Sequence, residues 1–132
     1  MSVESSNKML EEVMLEQKVW AVVGVNEDRD KFGNRIYRRL RDRGYEVYAI
    51  NPGLDQVEGD PCYHSLSELP KVPQVVDMVV SPKIGKAVLD EAATLGVSYI
   101  WLQPGTHNEE ILAQIDANGL TAVQGCVLIA TA

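Results

Sequence analysis

The sequence has few of the residues that mark several functional classes. Its 132 residues include two cysteines, Cys62 and Cys126, and two histidines, His64 and His107. The cysteines have no CxxC spacing and no His/Cys cluster beside them. This argues against a zinc site and against a disulfide framework. No apolar run approaches the ~20 residues that span a bilayer. Positive charge is also scarce: 12 Lys and Arg against 19 Asp and Glu leave a net charge of -7 at pH 7. Nucleic acid and anionic membranes need clustered positive charge, so neither is an expected partner. The first segment carries Glu4, Glu11, Glu12 and Glu16, unlike a secretory signal. A cytoplasmic location is expected. No GxxxxGK[ST] is present, which removes the P-loop.

What is present is a regular alternation. Ser2 to Lys18 carries Met9, Leu10, Val13 and Met14 at helical spacing, which predicts an amphipathic helix packed on the domain. Val19 to Val23 is unbroken apolar, as in a strand buried on both faces. A helix from about Phe32 to Arg43 follows, with Phe32, Ile36 and Leu40 on one face and Gly44 as its stop. Further strands are expected at Glu46–Ile50, Val75–Val80, Ser98–Leu102 and Thr121–Val123. Leu54 to Gln74 is read as mostly irregular. Ser81-Pro82 opens a helix that runs to Leu95. Thr106 with Glu109 reads as a capping box for the next one. Strands alternating with helices imply a Rossmann-like α/β fold. The expectation is three α/β/α layers around a five-stranded, mainly parallel sheet, forming one domain over residues 1–132.

In such a sheet, ligands bind beyond the carboxyl ends of the strands. That rule selects Gly24–Asn34, Asn51–Gly53, Ser81–Ile84, Gln103–Gly105 and Gln124–Cys126. The first loop carries the most information. Gly24 permits a tight exit from its strand. Gly33 lets backbone approach a ligand at the start of the helix, where N–H groups and the dipole suit a pyrophosphate. Val25 and Phe32 lie within this loop, Asn26 and Asn34 can donate hydrogen bonds, and Arg29, Lys31 and Arg35 are candidate phosphate partners. Arg38, Arg39, Arg41 and Arg43 read as a solvated helix face. The loop is not GxGxxG, and the second strand ends Ile50-Asn51-Pro52 without the acidic residue an NAD site would use. NAD(P) is therefore the weaker reading of a small-molecule nucleotide ligand.

The ordered series Val22-Val23-Gly24-Val25-Asn26, Phe32-Gly33-Asn34, Arg43-Gly44-Tyr45-Glu46-Val47, Asn51-Pro52, Val76-Asp77-Met78-Val79-Val80 and Trp101-Leu102-Gln103-Pro104-Gly105 resembles the small stand-alone CoA-binding domain proteins. These are similar to the N-terminal domain of the succinyl-CoA synthetase α subunit. The resemblance implies coenzyme A or an acyl-CoA across the strand ends. It places phosphates on the Gly24–Asn34 loop and the nucleotide part on Asn51 and Pro52. Ser81, Pro82, Lys83 and Ile84 would meet adenine or ribose, and Gln103 and Gly105 would border the pantetheine. The synthetase has a lysine after the Pro-Gly that follows strand two, where this chain has Leu54. The synthetase's phosphohistidine domain has no counterpart here. The resemblance therefore implies a binding module, with a CoA-dependent enzyme subunit completed by another chain as the alternative.

Few residues suggest catalysis. His64 and His107 read as structural or solvated. Asp77 is a polar residue inside a strand. Cys126 follows a strand end on the ligand side: it is either a thiol that meets the ligand or a buried small apolar residue.

Overall fold

The computed structural model describes residues 3–132. Seven strands form one sheet in the order β3-β4-β2-β1-β5-β6-β7. They are β1 (Val19–Val23), β2 (Glu46–Ile50), β3 (Gln56–Val57), β4 (Asp60–Tyr63), β5 (Val75–Met78), β6 (Tyr99–Leu102) and β7 (Thr121–Gln124). Every pairing is parallel except β3 with β4. The helices are α1 (Val3–Leu15), α2 (Phe32–Asp42), α3 (Pro82–Leu95), α4 (Glu109–Ala117) and the short α5 (Val127–Ala130).

The apolar strand runs are buried on both faces, as expected of strands under helices. On one face Trp20, Val22 and Trp101 pack with Met14 of α1, Ile36 and Leu40 of α2 and Val127 of α5. On the other, Ala21, Val23, Val76 and Met78 meet Leu89 and Ala92 of α3 and Ile111 and Ile115 of α4. Trp20 and Trp101 are fully buried with ring centroids 5.8 Å apart. Both indole N–H groups are satisfied, by Gln17 O at 3.0 Å and Gly125 O at 2.9 Å. Truncating a buried indole of this kind costs about 3–5 kcal/mol.

The α/β/α class holds, but the sheet has seven strands rather than five. The two extra strands lie in the stretch read as irregular. They form a hairpin turned by Glu58 (φ 53°) and Gly59 (φ 79°), the two consecutive positive-φ residues of a primed turn. A glutamate at a left-handed position is unusual, and the strands are only two and four residues long, so neither pattern nor turn signal was strong. Four further expectations are corrected. The cap of α4 is Asn108, whose side chain accepts from Ile111 N–H at 2.9 Å; Thr106 is unavailable because its hydroxyl donates to Gln103 O at 2.7 Å. Phe32 stands 44% exposed instead of facing the core. On α1 only Leu10 and Met14 of the four apolar positions turn inward, while Met9 and Val13 are exposed. The residues after Cys126, where the last expected element is the strand Thr121–Val123, form the helix α5.

Helix α1 lies against β7, the outer strand. Asn7 donates to Gln124 O and accepts from Gln124 N–H, both at 3.4 Å. Ser2, the expected first residue of this helix, lies outside the described residues.

Candidate functional site

Strand β1 pairs with β2 on one side and β5 on the other. The chain leaves β1 in one direction and returns to the opposite side, so the β1/β5 edge is the topological switch where such sheets bind ligands. The loops there are very tight. Gly24 has φ 107°, and a Cβ on it would sit 2.7 Å from Val79 O. A Cβ on Gly33 would overlap the carbonyl oxygen of Gly24. The close approach expected of Gly33 is therefore to this chain's own backbone: helix α2 starts directly against the turn that leaves β1.

Two asparagines strap this turn. Asn51 donates to Val25 O at 2.8 Å while its Oδ1 accepts from Gly53 N–H at 2.8 Å. Asn34, fully buried, donates to Asn26 O at 2.7 Å and to Glu58 Oε2 at 3.2 Å, and accepts from Arg38 Nε at 2.8 Å. Glu58 also holds Arg29, with Nε 3.3 Å from Oε2. The hairpin missed in the sequence is thus part of the loop's support. Replacing Asn51 with Ala is expected to lower stability by about 1–2 kcal/mol, because the buried Val25 region loses its donor. Chemical denaturation of the variant measures this.

Above the switch lies a groove. A cleft of about 700 Å³ is lined by Gly24, Asn26, Asn51, Pro52, Ser81 and Ile84 of the expected residues. A smaller hollow of about 260 Å³ adjoins it at Val79, Val80 and Ser81 and is lined by Phe32, Gln103 and Gly105. Val25, Gly33 and Asn34 are buried and line neither cavity. Arg29, Lys31, Arg35 and Lys83 are exposed and line neither cavity, nor do Pro82 and the half-buried Cys126. Among the described residues no lysine or arginine lines either one. Both α2 and α3 begin here without a side-chain cap, at Lys31 and Ser81.

The sequence reading missed the groove's apolar walls. Val23, Ile50 and Leu66 form one part, and Ile84, Ala87 and Val88 of α3 another. A signal was present: α3 carries a second apolar stripe beside its core stripe of Leu89 and Ala92. Glu91 and His64 also line the cleft. His64 is engaged by carboxylates, with Nε2 2.8 Å from Asp55 Oδ1 and Nδ1 3.6 Å from Glu68 Oε1.

The Gln103 side chain turns away from the groove. Its Nε2 donates to Asp77 Oδ1 at 2.7 Å, and its Oε1 accepts from Val127 N–H at 3.3 Å. Asp77 is fully buried, and its Oδ2 has no partner among the described residues. Burial raises its pKa to about 7, against a smaller lowering by the Gln103 amide. Burial likewise pushes the Cys62 thiol up.

A sequence model of the CoA binding domain matches residues 18–132. The chain belongs to the CoA binding domain family. A hypothetical protein from Pyrococcus horikoshii OT3 superposes with a TM-score of 0.86 at 29% identity, over 95% of this chain and 88% of that one. The ADP-forming acetate–CoA ligase I of Archaeoglobus fulgidus is 35% identical over 74 residues, which are 56% of this chain and 11% of the ligase. A dinucleotide forming acetyl-coenzyme A synthetase 1 of Ca. Korarchaeum cryptofilum, solved with phosphate and ADP, gives a TM-score of 0.75 at 27% identity. That match covers 84% of this chain and 26% of the synthetase. This member of the CoA binding domain family therefore corresponds to a small part of those enzymes. Among the described residues no helix is long and apolar enough to cross a membrane.

Proposed function

We propose that the groove binds coenzyme A or an acyl-CoA, and that the domain acts as a module that holds or presents it. The observation that carries this reading is the meeting of two uncapped helix N-termini, of α2 and α3, at the hollow lined by Phe32 and Ser81 beside the apolar cleft. The dipoles of both helices and the first-turn N–H groups of α2 favour a pyrophosphate at that point; on α3 Pro82 has no N–H and Ile84 N–H is bonded to Ser81 O at 3.1 Å. The 700 Å³ cleft then takes the nucleotide end, and the hollow along Phe32 and Gln103–Thr106 takes the pantetheine. Lys31 and Arg35 at the start of α2 and Lys83 at the start of α3 are exposed and would supply the counter-charge.

A second reading, a subunit completed by another chain, has one observation in its favour. In the ligase and synthetase relatives the matching segment is a fraction of a much longer chain.

The test is a calorimetric titration with CoA, acetyl-CoA and NAD⁺, on wild type and on Ile84→Glu. Ile84 is 57% exposed at the cleft, so the variant is expected to fold normally. CoA binding is expected to weaken at least about tenfold, equivalent to about 1.4 kcal/mol, because a carboxylate then faces the nucleotide. Unchanged CoA affinity, or binding of NAD⁺ alone, contradicts the proposal.

A further inference from the structure

The charged groups of the cleft are arranged unequally along its length. At the strand ends stand the two uncapped helix N-termini. Deeper along α3, the wall runs Ile84, Val88, Glu91. Glu91 lies seven residues past Ile84, two helical turns or about 10 Å along the axis, which is within the reach of a nucleoside. Leu66 stands at this end, while Val23 and Ile50, the last residues of β1 and β2, line the cleft toward the strand ends, so the slot has apolar faces and a carboxylate at its far edge.

The carboxylate is fixed in place. Its Oε1 accepts from Leu66 N–H at 2.9 Å, and its Oε2 accepts from the Ser67 hydroxyl at 2.7 Å. An ionised carboxylate offers about four acceptor positions, so two remain after these bonds. Among the described residues the ionisable side chains lining the cleft are Glu91 and His64, and His64 is engaged by Asp55 and Glu68. A phosphate has no favourable partner at this end. A flat heterocycle carrying a hydrogen-bond donor on its edge does.

Resting on the CoA reading of the groove, we infer that Glu91 selects the base, accepting from the exocyclic amine of an adenine held between α3 and the 3₁₀ turn Leu66–Glu68. The turn and the selectivity share one side chain. The bonds from Leu66 and Ser67 hold the carboxyl in place where it lines the slot, and leave it acceptor capacity for a ligand donor. An acceptor-only group accepts an amine and rejects a base edge that presents only acceptors.

The experiment compares ADP, GDP and purine riboside 5′-diphosphate, which lacks only the amine, on wild type and on Glu91→Gln, with CoA titrated into both. The glutamine keeps the shape and an acceptor for Leu66 N–H but loses the charge and gains a donor. Wild type is expected to bind ADP at least tenfold tighter than the purine riboside diphosphate. In the variant this preference should fall to threefold or less, with an unchanged melting temperature in the absence of ligand. Equal wild-type affinity for the two nucleotides, a stronger preference for GDP, or a tenfold preference that persists in the variant overturns the assignment while leaving CoA binding standing. Failure of wild type to bind CoA overturns the functional reading and this inference together.

Discussion

Replacing Gly33 with Ala is expected to lower the melting temperature by roughly 10 °C, corresponding to about 3 kcal/mol for a domain of this size. The added methyl would overlap the Gly24 carbonyl oxygen. Neither partner can yield cheaply. Gly24 is held between Ile50, whose carbonyl accepts its N–H at 3.0 Å, and the backbone of Val79. Gly33 is in the first turn of α2, whose buried face of Ile36, Tyr37 and Leu40 fixes the helix on the sheet. The helix must therefore lift, and the loop with it. Ligand-induced stabilisation should disappear as well. The two readouts separate two roles for this glycine. If it served only to admit a phosphate, the unliganded protein would melt at the wild-type temperature and binding alone would suffer. Thermal melts with and without CoA distinguish these outcomes.

The second large effect concerns pH. The Asp77 carboxyl is fully buried, with one neutral donor and one oxygen that has no partner among the described residues, and its pKa rises from 3.8 to about 7. The folded state thus holds a proton that the unfolded state releases near pH 4. Where the folded state binds more protons, stability falls as pH rises. The contribution of Asp77 is full below about pH 4 and is lost progressively until the folded carboxyl ionises near pH 7. The loss is on the order of 4 kcal/mol, because each tenfold change in the acidity of the carboxyl is worth about 1.4 kcal/mol. Asp77→Asn removes the titration and keeps the shape and the acceptor for Gln103. Near pH 4 the variant and the wild type are expected to match. By pH 8 the variant should be the more stable, with the gap opening through the window between. Denaturation of both proteins at several pH values measures the gap directly. A constant difference across that range would mean that Asp77 ionises in the fold as it does in water.

The helices and central strands were legible because their periodicities are strong. Val19 to Val23 admits no face for water, and Ile36 and Leu40 repeat at helical spacing. The β3–β4 hairpin was not legible. Its strands are too short to show a period, and Glu58-Gly59 is not a usual pair for a primed turn. The loops of the site were also legible, since strand-end geometry selects them without any motif. The roles of their residues were not. Asn34 and Gly33 are expected to face a ligand, yet both are buried and line neither cavity, while Asn51 lines the cleft as expected and also straps the turn, because side-chain direction depends on what the loop packs against. Asn34 is claimed by Glu58, 24 residues away, and no local pattern reports that pairing. Glu91 was missed for the converse reason. An exposed-looking glutamate on a helix is ordinary in sequence and acquires meaning only beside Leu66 and Ser67.

The paired hydrogen bonds between Asn7 and Gln124 have a consequence for self-association. A free outer strand is a template on which another chain can add itself. The carboxamide of Asn7 presents to Gln124 one donor and one acceptor, the same pair that a neighbouring strand's peptide group would offer. At that position growth of the sheet beyond β7 is terminated by a single side chain, and a second molecule seeking that edge must first displace the amide.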